Sequence, residues 1–180
     1  MSFEPTPSSS SAASLPASAA HGLDAPDSGF TPLAWVESPG DLGLRVSRLL
    51  GRSRRQGDRV SVLWLNVEMG EPGGPPVTPA LRAYLMRTFG ARLFRSVRST
   101  DEVVQIGTHE YALLLTANKQ ECAVVEKRLR HQWLERDPLE GSGVRGRVAL
   151  GAASFPEDGR SGVELALAAK AGLQPLTGTL

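Results

Sequence analysis

Residues 60–67 read Val-Ser-Val-Leu-Trp-Leu-Asn-Val, so both alternating faces of the run are dominated by apolar side chains until Asn66. A strand-length run of this kind cannot lie on a surface. It needs cover above and below, and it predicts the central strand of a sheet with helices on both sides.

The flanking segments fit that strand. Leu42, Leu44, Val46, Leu49 and Leu50 have helical spacing, and they run into a basic stretch of Arg52, Arg54, Arg55 and Arg59. After the strand, residues 70–76 are crowded with Gly and Pro and predict a loop. Thr78-Pro79 pairs an N-cap residue with proline at the first helical position. Helical periodicity then runs through Leu81, Tyr84, Leu85, Phe89, Leu93 and Val97, predicting a helix that ends near Arg98. Residues 102–106 and 110–116 form two strands around the short turn Gly107-Thr108-His109, a β-hairpin. A second helix is expected over 119–134, with Cys122, Val125, Leu129 and Trp133 on one face. A loop at 137–143, a strand at 144–154, a turn at 155–159 and a closing helix at 163–173 complete the order α-β-α-β-β-α-β-α. The class is α/β (α+β), with a ferredoxin-like βαββαβ core.

Composition narrows the remaining possibilities. Residues 1–29 are rich in Ser, Ala and Pro, which predicts a disordered N-terminal tail ahead of one domain at 30–180. Residues 1–44 hold five acids and no Lys or Arg, leaving twenty basic and fourteen acidic residues for the rest. That balance tolerates an anionic partner without demanding one. The single cysteine, Cys122, excludes an intramolecular disulfide and a multi-thiolate metal site, and its apolar surroundings predict a small buried hydrophobe. There is no signal-peptide pattern, and no apolar run approaches the roughly 20 residues that cross a bilayer. A cytoplasmic, soluble protein without membrane insertion is expected.

The hairpin carries a resemblance. Residues 98–115, Arg-Ser-Thr-Asp-Glu-Val-Val-Gln-Ile-Gly-Thr-His-Glu-Tyr-Ala-Leu-Leu-Leu, resemble the signature hairpin of GGDEF (diguanylate cyclase) domains with its R-x-x-D lead-in. Gly107-Thr108-His109-Glu110-Tyr111 stands in the place of the signature. Residues 63–68, ending in Asn66-Val67-Glu68, are similar to the family's apolar strand that ends in Asp-x-Asp. Residues 148–156 and Glu164-Leu165 resemble its penultimate strand and closing helix. The resemblance spans about residues 38–173 and implies a nucleotide-cyclase (GGDEF-like) fold.

It also implies what is missing. The family joins two GTP molecules into cyclic di-GMP with magnesium, a hard ion that prefers carboxylate oxygens. The two metal-binding acids of the family correspond to Asn66 and His109, a neutral oxygen ligand and a nitrogen ligand suited to softer ions. Thr108 puts a β-branched side chain where the family's second glycine admits the nucleotide. The guanine-reading Asn and Asp belong in the Gly- and Pro-rich residues 70–77. The phosphate-holding Lys has no counterpart beyond Leu173, and the Asp of the closing helix corresponds to Lys170. The expectation is therefore no catalysis, no metal and no cofactor. His109 has a second reading, as a metal ligand or general base, beside the plainer one of a polar turn residue. Glu68 and Glu110 stay acidic, as solvated or hydrogen-bonded carboxylates.

Arg98 and Asp101 match the family's inhibitory-site motif, R-x-x-D, which in the family binds an intercalated dimer of cyclic di-GMP. An arginine fork fits guanine O6 and N7, and a carboxylate accepts from guanine N–H donors. A further arginine, Arg128 or Arg130, is in place to complete the site. The competing reading is structural: Asp101 satisfies turn donors, and Arg98 is a solvated cation at a helix end. Gln105 replaces a family Arg. Two functions follow, a cyclic di-GMP receptor that signals to a partner protein, or an interaction module that binds no nucleotide. An active cyclase with an unusual metal site is a third. Nucleic-acid binding is not expected, because the arginines at 52–59 lack interleaved aromatics.

Overall fold

The computed structural model describes residues 34–70, 76–135 and 144–176. The expected tail at 1–29, most of the loop at 70–77 and the loop at 137–143 lie outside the described residues. Ten elements follow one another: β1 (Ala34–Val36), α1 (Pro39–Gln56), β2 (Ser61–Met69), α2 (Pro79–Arg95), β3 (Glu102–Ile106), β4 (Glu110–Leu115), α3 (Lys119–Glu135), β5 (Gly146–Ser154), α4 (Gly162–Ala171) and β6 (Gln174–Pro175).

The strands form one sheet in the order β1-β3-β4-β2-β5-β6. β2 is central, antiparallel to β4 on one side and β5 on the other. Its side chains alternate between two cores. Leu63, Leu65 and Val67 face α2 and α3 with Met86, Phe89, Leu129 and Trp133. Val62 and Trp64 face α1 and α4 with Leu42, Val46, Leu165 and Ala169. This double cover is what the apolar run required. Cys122 is buried in the first core, and burial pushes its thiol up to about 11.

Caps fix the helix starts. Ser38, Thr78 and Ser161 each accept a hydrogen bond from the backbone N–H three residues on. Asn118 accepts from Gln120 and Glu121, and Glu121 reaches back to the Asn118 N–H. α4 seats directly on β5 at Gly151, where a Cβ would lie 2.2 Å from the Ala169 carbonyl oxygen.

Several expectations are corrected. α2 ends at Arg95, not near Arg98, because Ser96 turns its N–H to Leu93 O and its hydroxyl to Arg92 O. Arg98 therefore lies in a turn rather than at a helix end. α4 ends at Ala171, and β5 begins at Gly146. Two edge strands were not expected. β1 pairs parallel with β3, and β6 pairs with β5.

Candidate functional site

Two places gather the residues singled out by the sequence. The first is the pole where β2 ends and the β3–β4 hairpin turns. Register sets Asn66 opposite Glu110, and Val67 N–H donates to His109 O, so the hairpin tip is tied to the central strand. Gly107 takes φ +53°, the left-handed conformation that makes the tight turn. Its carbonyl accepts from Gln105 Nε2 and Trp35 Nε1, which gives Gln105 a physical role in bracing the turn. A cleft of about 410 Å³ opens here, lined by Glu37, Asn66, Glu68, Thr108, His109 and Glu110 among others.

The signature's final aromatic position, Tyr111, is buried between this turn and α2. Its hydroxyl donates to Met86 O at 2.6 Å, and its ring lies 5.6 Å from that of Phe89. Burial holds the phenol protonated, well above its usual range.

The charges at the pole do not converge on a cation. Glu110 is held by Lys170 of α4, with Nζ 2.9 Å from Oε1 and 3.0 Å from Oε2. The same ammonium lies 5.1 Å from the centroid of the Trp64 ring. His109 Nδ1 is 2.6 Å from Thr108 Oγ1 on the exposed tip. Glu68 is exposed, with Arg147 as its cross-strand neighbour. Among the described residues no three His, Cys, Asp or Glu come together as a metal-binding group. A magnesium ion needs hard, negative oxygens. Asn66 offers a neutral amide, His109 an imidazole and Glu110 a carboxylate already neutralised by an ammonium, and the cleft's other carboxylates, Glu37 and Glu68, do not gather with them into the hard oxygen set such an ion needs.

The second place is the corner between α2 and β3. Residues 98–101 form a closed turn: Asp101 N–H donates to Arg98 O, and Asp101 Oδ2 accepts from Arg98 N–H at 3.0 Å. The Asp101 carboxylate is thus half used by the turn itself. The Arg98 side chain is exposed and has no hydrogen-bond or ion-pair partner among the described residues. From α3, Arg128 Nη2 donates to Ser96 O at 2.5 Å, which brings a second guanidinium to this corner. Gln132 joins it there, 3.3 Å from the Ser96 hydroxyl. Arg130 does not join them. It is turned to Glu126 and to Leu150 O of β5.

No family model matches the sequence, and no curated protein matches it. Solved structures do resemble the chain. The GGDEF domain of YfiN (TpbB) from Pseudomonas aeruginosa superposes with a TM-score of 0.58 at 17% identity, over 79% of this chain and 88% of that one. An EAL/GGDEF domain protein from M. capsulatus gives 0.55 at 25% identity, over 71% and 86%. The GGDEF domain of DgcB from Caulobacter crescentus, solved in complex with c-di-GMP, gives 0.55 at 16% identity, over 82% and 87%. With its six-stranded sheet between two pairs of helices, this chain has the fold of GGDEF domains.

Proposed function

We propose that the protein is a catalytically inactive, cytoplasmic GGDEF-fold domain that acts as a cyclic di-GMP receptor through Arg98, Asp101 and Arg128. The observation that carries this reading is the corner beside α2, where an exposed guanidinium, without a partner among the described residues, stands three residues from a carboxylate fixed by its own turn. Arg98 offers a planar donor fork to guanine O6 and N7. Asp101 Oδ1, the oxygen not used by Arg98 N–H, is left to accept from the base. Arg128 adds positive charge for phosphate from a neighbouring helix. The lack of catalysis rests on the pole, where Lys170 occupies Glu110, and Asn66 and His109 replace the metal-binding acids implied by the resemblance.

Calorimetric titration of the whole chain with cyclic di-GMP tests the receptor. Saturable binding at micromolar ligand, lost in Arg98→Ala, is expected. No heat and no thermal stabilisation at tens of micromolar would sink it. Product formed from GTP with magnesium or manganese would overturn the claim of inactivity. A nucleotide-independent interaction module is the second reading, favoured by the engagement of Asp101 in its turn. It predicts that a partner protein binds Arg98→Ala and wild type alike, with or without the nucleotide.

A further inference from the structure

The face opposite that corner is built differently. Residues 45–59 hold Arg45, Arg48, Arg52, Arg54, Arg55 and Arg59. Arg45 is paired with Glu102. Arg54 donates to Arg160 O and sits 5.1 Å from the Phe155 ring centroid. Arg48, Arg52, Arg55 and Arg59 are exposed, and none has a hydrogen-bond or ion-pair partner among the described residues. The first three are spaced by four and then three residues along α1, so they share one outward helix face. Like charges one turn apart weaken a helix. α1 has no acid after Asp41 to relieve them. Among the described residues nothing offsets the cost of the row to the fold.

Beside the row lies an apolar strip. Leu44 is 61% exposed, Val163 42% and Leu167 53%. They belong together because α1 and α4 meet at glycines. A Cβ on Gly43 would lie 2.7 Å from Val163 Cγ2, and one on Gly162 2.3 Å from Gly43 O. With no side chains to separate the helices at this contact, they present a shallow face rather than a groove for a partner helix. The acids at its margins are engaged locally: Asp41 with Ser38, and Glu164 with the Arg160 N–H.

The combination selects a class of partner. Phosphodiester strands have no use for the aliphatic strip, and neither α1 nor α4 carries an aromatic residue to stack on bases. A second copy would set one arginine row against another. Anionic headgroups above an acyl boundary satisfy both halves of the surface. We infer that the α1–α4 face is a peripheral docking surface for an anionic lipid membrane. It lies across the sheet from Arg98 and Arg128, so the nucleotide corner stays open to solvent when the face is occupied.

The test is co-sedimentation of the full chain with vesicles of roughly three parts phosphatidylglycerol to seven of phosphatidylcholine, and with phosphatidylcholine alone. Binding to the anionic vesicles, at least about tenfold tighter than to neutral ones, is expected, and it should vanish near 1 M salt, where the Debye length is about 3 Å. The triple change Arg48→Gln, Arg52→Gln, Arg55→Gln should weaken partitioning by more than about tenfold while raising the melting temperature slightly. That rise separates lost binding from lost folding. Leu44→Ser with Leu167→Ser should weaken it several-fold. No binding to either vesicle, equal binding to both, or an unaffected triple variant would overturn the inference. So would preferential binding to a nucleic-acid oligomer that is indifferent to the leucine changes.

Discussion

The pole and the α2–β3 corner carry the same kinds of side chain and use them in opposite ways. At the pole the acidic group that faces the central strand is neutralised from within: Glu110 is held by Lys170, which also rests on Trp64. At the corner one carboxylate oxygen shapes its own turn, and the nearby guanidinium has no partner among the described residues. At the pole the charge is satisfied inside the fold. At the corner an exposed arginine loses little by standing in water. The contrast is between an internal ion pair and an exposed guanidinium without a partner among the described residues.

The most severe way to break the contrast is to unseat α4. Gly151→Ala would drive a methyl group into the Ala169 carbonyl and the Gly172–Leu173 backbone. Overpacking against backbone should destabilise by about 3 kcal/mol, read as a large drop in melting temperature. If enough protein stays folded to titrate, cyclic di-GMP binding at the corner should survive, because the hydrogen bonds that shape the corner join the turn after α2 to α3 and involve neither Gly151 nor α4. Loss of both together would show that the two sites are not independent.

Lys170→Met probes the pole alone. Glu110 has only 20% of its side chain exposed, so removing its cation leaves a poorly solvated carboxylate. The expected cost is about 1–2 kcal/mol, between the exposed and buried limits for an ion pair. The double variant with Glu110→Gln should recover most of it in a thermodynamic cycle. Additive losses would mean that Lys170 acts through Trp64 instead.

At the corner the order of effects reverses between stability and binding. Asp101→Ala removes the acceptor of the Arg98 N–H and should cost about 1 kcal/mol as well as binding. Arg98→Ala should change stability by less than about 0.5 kcal/mol and yet abolish nucleotide binding. Chemical denaturation and calorimetry on the same two variants check both halves. A large stability loss in Arg98→Ala would make it a structural residue.

How much of this was legible in the sequence depended on the range of the signal. β2 was readable because eight residues leave no polar face. The hairpin was readable because Gly107 sits between two short apolar strands, and β3 falls on the residues expected of it. The Thr78-Pro79 start was chemical, and the structure shows its hydrogen bond. The end of α2 was hidden. Val97 continues the apolar period from outside the helix and packs on the core from the following turn. β1 and β6, three and two residues long, are too short for any period to show. The Lys170–Glu110 pair joins positions 60 apart in sequence, and Arg128 reaches Ser96 across 32. Such pairings are decided by packing, so the sequence offered Arg128 and Arg130 equally. Only the side to which each is turned on α3 tells them apart.

The smallest effect sharpens the comparison by adding a third place, at the far end of β2. Asp158 bridges Lys119 and the Ser154 N–H. Burial works against its ionisation, but the Lys119 and Ser154 hydrogen bonds outweigh it and hold the carboxyl below its ordinary value of 3.8. A depressed carboxyl stabilises the fold above its unfolded pKa, and that stability is lost as pH falls through the folded value. Stability should therefore be flat near neutrality and begin to fall below about pH 4. Asp158→Asn should remove part of that acid slope and lower the neutral plateau slightly, while Lys170→Met and Arg98→Ala leave the Asp158 contribution in place. Melting temperatures across pH 3–7 for the four proteins decide it. If Asp158→Asn kept the full slope, the acid sensitivity would lie elsewhere, with Glu164 at the start of α4 next in line, its carboxyl lowered by the hydrogen bond from the Arg160 N–H.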